Sequence, residues 1–69
     1  MDYEIGDVIF AFELEENDFF RYNGEDYRVH RKSDDDDFIT VRAEVLTDND
    51  DYVTLDLEPE TKLEILILV

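Results

Sequence analysis

Apolar residues recur at every second position over several short stretches of this chain, the period of a strand with one covered face. The clearest case is FFRYNGEDYRVHR, residues 19–31. Asn23-Gly24 supplies the two positive-φ positions of a type I′ turn, which makes Tyr22 and Glu25 the flanks of a two-residue hairpin loop. In that register Arg21 faces Asp26 and Phe20 faces Tyr27. The pleat then collects Phe20, Tyr22, Tyr27 and Val29 on one side and Arg21, Asp26, Arg28 and His30 on the other. Ahead of this ribbon, residues 5–15 (IGDVIFAFELE) predict a strand bent near Gly6-Asp7. Val8, Phe10, Phe12 and Leu14 share one face, against Ile9, Ala11, Glu13 and Glu15 on the other. A helix over 8–16 fits by length, but the β-branched and aromatic content favours strand.

Beyond the ribbon, residues 38–46 (FITVRAEVL) alternate with Ile39, Val41, Ala43 and Val45 inward. Residues 52–58 alternate with Val53, Leu55 and Leu57 inward, and Pro59 ends that run because it cannot donate to a ladder. Residues 62–69 form the last strand, with Leu63, Ile65, Ile67 and Val69 on one side. About six short strands with no room for a crossover helix predict an all-β domain. The expected form is a small five- or six-stranded antiparallel barrel or sheet, SH3-like in preference to OB-like. Its expected core is Val8, Phe10, Phe12, Phe20, Tyr22, Tyr27, Val29, Ile39, Val41, Val45, Val53, Leu55, Leu57, Leu63, Ile65 and Ile67. Leu66 and Leu68 fall between those core positions, so the last strand is apolar on both faces. That is the pattern of a central strand or of one that pairs with a second copy, and it assigns Leu66 and Leu68 to self-association in a homodimer.

The run Phe20-Arg21-Tyr22-Asn23-Gly24-Glu25-Asp26-Tyr27-Arg28-Val29 resembles a hairpin of the N-terminal, SH3-like domain of bacterial elongation factor P and its relatives. Ile5-Gly6-Asp7-Val8 is similar to the Gly-Asp opening of many KOW-type and SH3-like domains. Together they cover about a quarter of the chain and imply a small barrel. In that factor the hairpin tip carries a modified basic residue that works on the ribosome. Here the tip is Asn23-Gly24 with no lysine, so the resemblance implies a fold and no function.

Charge changes the picture most. Twenty-one acidic residues stand against 6 basic ones, a net of -15, with 43% hydrophobic residues, too many for a disordered acidic chain. Residues 1–20 carry a net of -7, residues 21–32 carry +2, and residues 33–60 carry -10. The 69 residues suit one small acidic β domain spanning 1–69, and the absence of cysteine suits a reducing, cytoplasmic setting. The opening MDYEIGDV lacks a basic leader region and no stretch approaches a membrane span, so secretion and membrane association are not expected.

Candidate chemistry is sparse. His30 is the single histidine and falls on the charged face of the ribbon, without a sequence-evident nucleophile or orienting partner. Carboxylate pairs abound, but a glycosidase needs a cleft to hold a sugar between them. No enzyme, cofactor or resident metal is therefore expected. The Asp34–Asp37 and Asp48–Asp51 runs offer hard oxygen ligands without EF-hand spacing, which leaves weak divalent-cation binding, or a purely structural self-associating domain, as the alternative reading. Direct nucleic-acid binding is disfavoured, because phosphate affinity rests on Lys and Arg and the overall field repels it. The local basic patch Arg21, Arg28, Arg31 and Lys32 reads mainly as cross-strand pairing. The functional expectation is a non-enzymatic module whose acidic surface binds a basic protein, including one whose nucleic-acid site would accept carboxylates in place of phosphates. The residues assigned to it are Asp34, Asp35, Asp36, Asp37, Asp48, Asp50, Asp51, Asp56 and Glu58.

Overall fold

The ribbon folds as its turn chemistry requires. Asn23 and Gly24 take φ of 55° and 80°, and the ladder pairs Tyr22 with Glu25, Arg21 with Asp26, and Phe20 with Tyr27. The Arg21 guanidinium donates to both Asp26 carboxylate oxygens, Nε to Oδ1 at 2.7 Å and Nη2 to Oδ2 at 3.3 Å, across the outer face of the hairpin. This bidentate partner raises the Arg21 pKa further above its ordinary value. On the other face burial, then the neighbouring Glu25 charge and Tyr22, push the Tyr27 phenol up.

Around this hairpin the computed structural model, which describes residues 3–47 and 51–69, builds one antiparallel sheet. Its strands are β1 (Tyr3–Phe10), β2 (Phe19–Tyr22), β3 (Glu25–Asp34), β4 (Ile39–Val45), β5 (Tyr52–Leu57) and β6 (Lys62–Leu68). Their order across the sheet is β1-β6-β2-β3-β4-β5, so β1 and β5 are the edges. The all-β expectation holds, as an antiparallel sheet of six strands.

That order forces the sheet to curl. Flat, β5 and β6 would lie four strand spacings apart, about 19 Å. The chain joins them with residues 58–61 alone, folded into a turn in which the Thr61 N–H donates to Glu58 O at 2.9 Å. With the turn's ends less than about 7 Å apart, that link cannot bridge a flat sheet. The segment after β1 is held against the β5–β6 link by two backbone bonds. The Ala11 N–H donates to Thr61 O at 2.8 Å and the Phe12 N–H to Pro59 O at 3.2 Å.

Curling leaves one continuous interior, formed by Ala11, Leu14, Phe20, Tyr27, Val29, Ile39, Val41, Ala43, Leu57 and Leu63. Ile9, Tyr22, Val45, Val53, Leu55 and Ile65 pack against it partly buried. Three expected core residues of the first strand are instead exposed: Val8 (59%), Phe10 and Phe12. Residues 8–12 are apolar at every position, so alternation could not choose between the faces. Pairing with β6 chooses: Ile9 stands opposite the buried Leu63, and Val8 and Phe10 stand opposite Glu64 and Lys62. The predicted bend at Gly6-Asp7 is a bulge, with the register slipping between Ile5 and Val8. A Cβ at Gly6 would meet the Ile67 side chain at 2.7 Å, a contact that the half-exposed Ile67 can relieve by turning aside.

The first strand is also shorter than the expected 5–15. It ends at Phe10 and a 3-10 turn follows over Ala11–Glu13. The Glu13 carboxylate accepts from the Phe10 N–H at 2.9 Å at the start of that turn. Ala11 and Leu14, three apart, are thereby both buried, a spacing that belongs to a helical turn and not to a strand. Ile67 is likewise 53% exposed, beyond the end of the core, and Leu66 is buried instead.

Candidate acidic interface

Antiparallel hairpins decide where the acids go. β3 and β4 end their ladder at Asp34 opposite Ile39, and the Asp35 N–H donates to Phe38 O at 2.9 Å, so Asp35, Asp36 and Asp37 form an exposed hairpin tip. β5 runs back to the same end, with Leu57 opposite Ile39 and Asp56 opposite Thr40. The Asp56 carboxylate accepts from the Thr40 hydroxyl at 3.1 Å, and the Glu58–Thr61 turn follows directly. An open depression of about 480 Å³ lies here, lined by Asp37, Phe38, Glu58, Pro59 and Glu60. Phe38 is 47% exposed. The site is an aromatic ring among carboxylates, open to solvent.

Six of the nine residues assigned from sequence meet at this end: Asp34, Asp35, Asp36, Asp37, Asp56 and Glu58. Asp51 lies at the other end of β4, where its carbonyl accepts from the Val45 N–H at 2.9 Å. At about 3.3 Å per residue, the seven-residue β4 holds the two acidic groups about 20 Å apart. Asp48 and Asp50 lie outside the described residues. Glu60 and Phe38 join the site although charge runs did not flag them. The signal was available in Pro59, which stops β5 and returns the chain beside the β3–β4 tip.

Leu66 and Leu68 separate in the structure. Leu66 is covered within one chain (4% exposed), outside the main core cluster, whereas Leu68 is exposed and pairs with Tyr3. β6 is an interior strand between β1 and β2, but its last residues are not covered on both faces, since Ile67 and Leu68 are exposed. Among the described residues, no three His, Cys, Asp or Glu side chains converge as metal ligands, and no helix is long and apolar enough to cross a membrane.

The basic residues distribute differently from their sequence cluster. Arg21 is held by Asp26, and Arg28 lies 3.8 Å from Glu44. Lys32 has turned toward the core side, where its Nζ donates to the carbonyls of Phe12 at 2.7 Å and Leu14 at 2.8 Å. The cause is a register slip in β3. Val29 pairs with Ala43 and Arg31 with Arg42, leaving His30 as the extra residue. His30 and Arg31 are consequently both exposed, between the buried Val29 and the part-buried Lys32.

Comparison with known proteins adds no relative: no family model, no curated protein and no solved structure matches the chain.

Proposed function

We propose that this chain is a non-enzymatic binding module whose acidic end engages a basic protein partner. The observation that carries the reading is the exposed Phe38 ring in a depression with Asp37, Glu58 and Glu60, at the same end of the sheet as Asp34–Asp36 and Asp56. A partner's Arg or Lys can lie over the ring face and donate to the surrounding carboxylates, combining a cation–π contact with charge-assisted hydrogen bonds. The net charge of -15 adds long-range attraction that speeds encounter. A nucleic-acid-binding protein fits this chemistry, since its site already presents Arg and Lys spaced for phosphates.

The test is capture from the source cell at low salt, followed by elution with rising salt. One stoichiometric basic protein is expected. The variant carrying Asp35→Asn, Asp36→Asn and Asp37→Asn should bind that protein at least about tenfold more weakly, with a shallower salt dependence. Unchanged affinity in that variant, with its fold intact, refutes the reading. A rise in melting temperature with millimolar calcium, lost in the same variant, would favour divalent-cation binding instead.

Self-association is a second reading, favoured by one observation. Edge strand β1 exposes Ile5, Val8 and Phe10, and the adjoining end of β6 exposes Ile67 and Leu68. An exposed apolar edge strand is a template for pairing with a second copy. Sedimentation should then show a dimer that tightens with added salt, as screening reduces repulsion between two chains of charge -15. A monomer at high micromolar concentration in both low and moderate salt removes the reading.

A further inference from the structure

The outer face of β3, β4 and β5 carries cross-strand rows of very different charge. One row runs Arg28, Glu44, Tyr52, and another runs Ser33, Thr40, Asp56. Between them lies Arg31, Arg42, Thr54, a row without a carboxylate. Arg31 and Arg42 stand directly opposite one another, a placement that sets Cβ atoms about 5 Å apart and is destabilising for like charges. Among the described residues the Arg31 side chain has no ion pair or hydrogen-bonding partner, although the chain is strongly acidic. The Arg42 guanidinium lies over the Tyr52 ring at 5.6 Å, and the His30 ring meets the same tyrosine edge-on at 5.5 Å. The β3 bulge is what brings Arg31 to this face.

We propose that the Arg31–Arg42 pair binds a single phosphomonoester dianion. Two guanidinium forks carry two positive charges and many donors, which a tetrahedral dianion can accept on several oxygens at once. The Thr54 hydroxyl stands in the same row as a further donor. A carboxylate matches less well, since its one planar edge suits one fork and its single charge leaves the pair half neutralised. Site size is limited to one group. Glu44 on one flank and Asp56 on the other repel the next charge of a polyphosphate or nucleic-acid chain. Tyr52 restrains the Arg42 fork before binding, which reduces the side-chain freedom lost on contact.

This site lies on the sheet face and does not depend on the acidic end binding anything. The test is a titration of the labelled protein with O-phosphoserine at constant ionic strength, following the Arg side-chain Nε–H resonances. N-acetylglutamate and decathymidylate serve as comparison ligands. Saturating shifts confined to Arg31 and Arg42 are expected with phosphoserine, weaker by about tenfold in Arg42→Gln and in Arg31→Gln, and changed less than about twofold in Arg21→Gln. Both guanidinium groups are exposed, so the variants keep the fold, which the amide spectrum checks. Shifts that grow linearly without saturation, or that survive Arg42→Gln or Arg31→Gln, overturn the proposal. So does binding of N-acetylglutamate or decathymidylate as tight as that of phosphoserine.

Discussion

Phe20→Ala should leave the chain largely unfolded at room temperature. Phe20 is fully buried at the centre of the sheet, opposite Tyr27 on β3 and Ile65 on β6, and its ring stacks on Tyr27 at 5.3 Å. Truncating a buried phenylalanine costs about 3–5 kcal/mol, the lost transfer energy plus the cavity left behind. A domain of this size has about 3–10 kcal/mol in total, so one substitution removes most of it. Phe12→Ala is the informative comparison, because alternation alone places Phe12 and Phe20 in the same core. Phe12 is half exposed, with its ring against Phe10, and its truncation should cost less than about 1 kcal/mol. Urea unfolding of the two variants checks both. Similar costs for the two would show that the outward orientation of the β1 end is wrong.

Lys32→Met should be the largest loss from any charged position, about 1.5–3 kcal/mol by urea unfolding. The Lys32 side chain is 15% exposed, its stem is covered, and its ammonium bridges two main-chain carbonyls that the 3-10 turn leaves without helical partners. It thereby ties the 3-10 turn that follows β1 to β3. Methionine keeps the stem volume and removes only the donors. Lys62→Met, at an exposed position, should change stability by less than about 0.5 kcal/mol. Salt separates this role from an ordinary ion pair. The Lys32 bonds end on neutral carbonyls, so the loss should persist in concentrated salt, where screening removes the contribution of exposed charge pairs. Asp34 at 3.7 Å is the ion-pair contact and is solvent-exposed. A loss that vanished in high salt would assign the effect to Asp34.

The legible parts of the candidate site were its acids, because charge runs survive any register. Their grouping was not legible. Asp34–Asp37 and Asp48–Asp51 look equivalent in sequence, yet Asp51 lies beyond the opposite end of β4 from the Asp34–Asp37 tip, and an antiparallel strand separates them. The arginine pair was hidden for a related reason. Strict alternation from Val29 sends Arg31 inward and Lys32 outward. One bulge at His30 reverses both, delivering Lys32 to the carbonyls of Phe12 and Leu14 and Arg31 to Arg42.

Local chemistry in the chain was enough for the elements that depend on neighbours alone. The positive-φ demand of a two-residue hairpin points to Asn23-Gly24, and period-two alternation with polar outer positions assigns the inward faces of β3, β4 and β5 up to the bulge. Pro59 places the end of β5. Tertiary structure decided wherever local chemistry was degenerate. Residues 8–12 and 65–69 are apolar on both parities, so either face would bury well, and only the β1–β6 ladder and the curl imposed by a four-residue link chose one. The bulge at His30 belongs to the same class, whereas the bend at Gly6-Asp7 was marked in the sequence by its glycine. Without such a glycine a bulge is an accommodation between two strands, set by where the partner's side chains must point, and it leaves no mark in the alternation of one strand read alone.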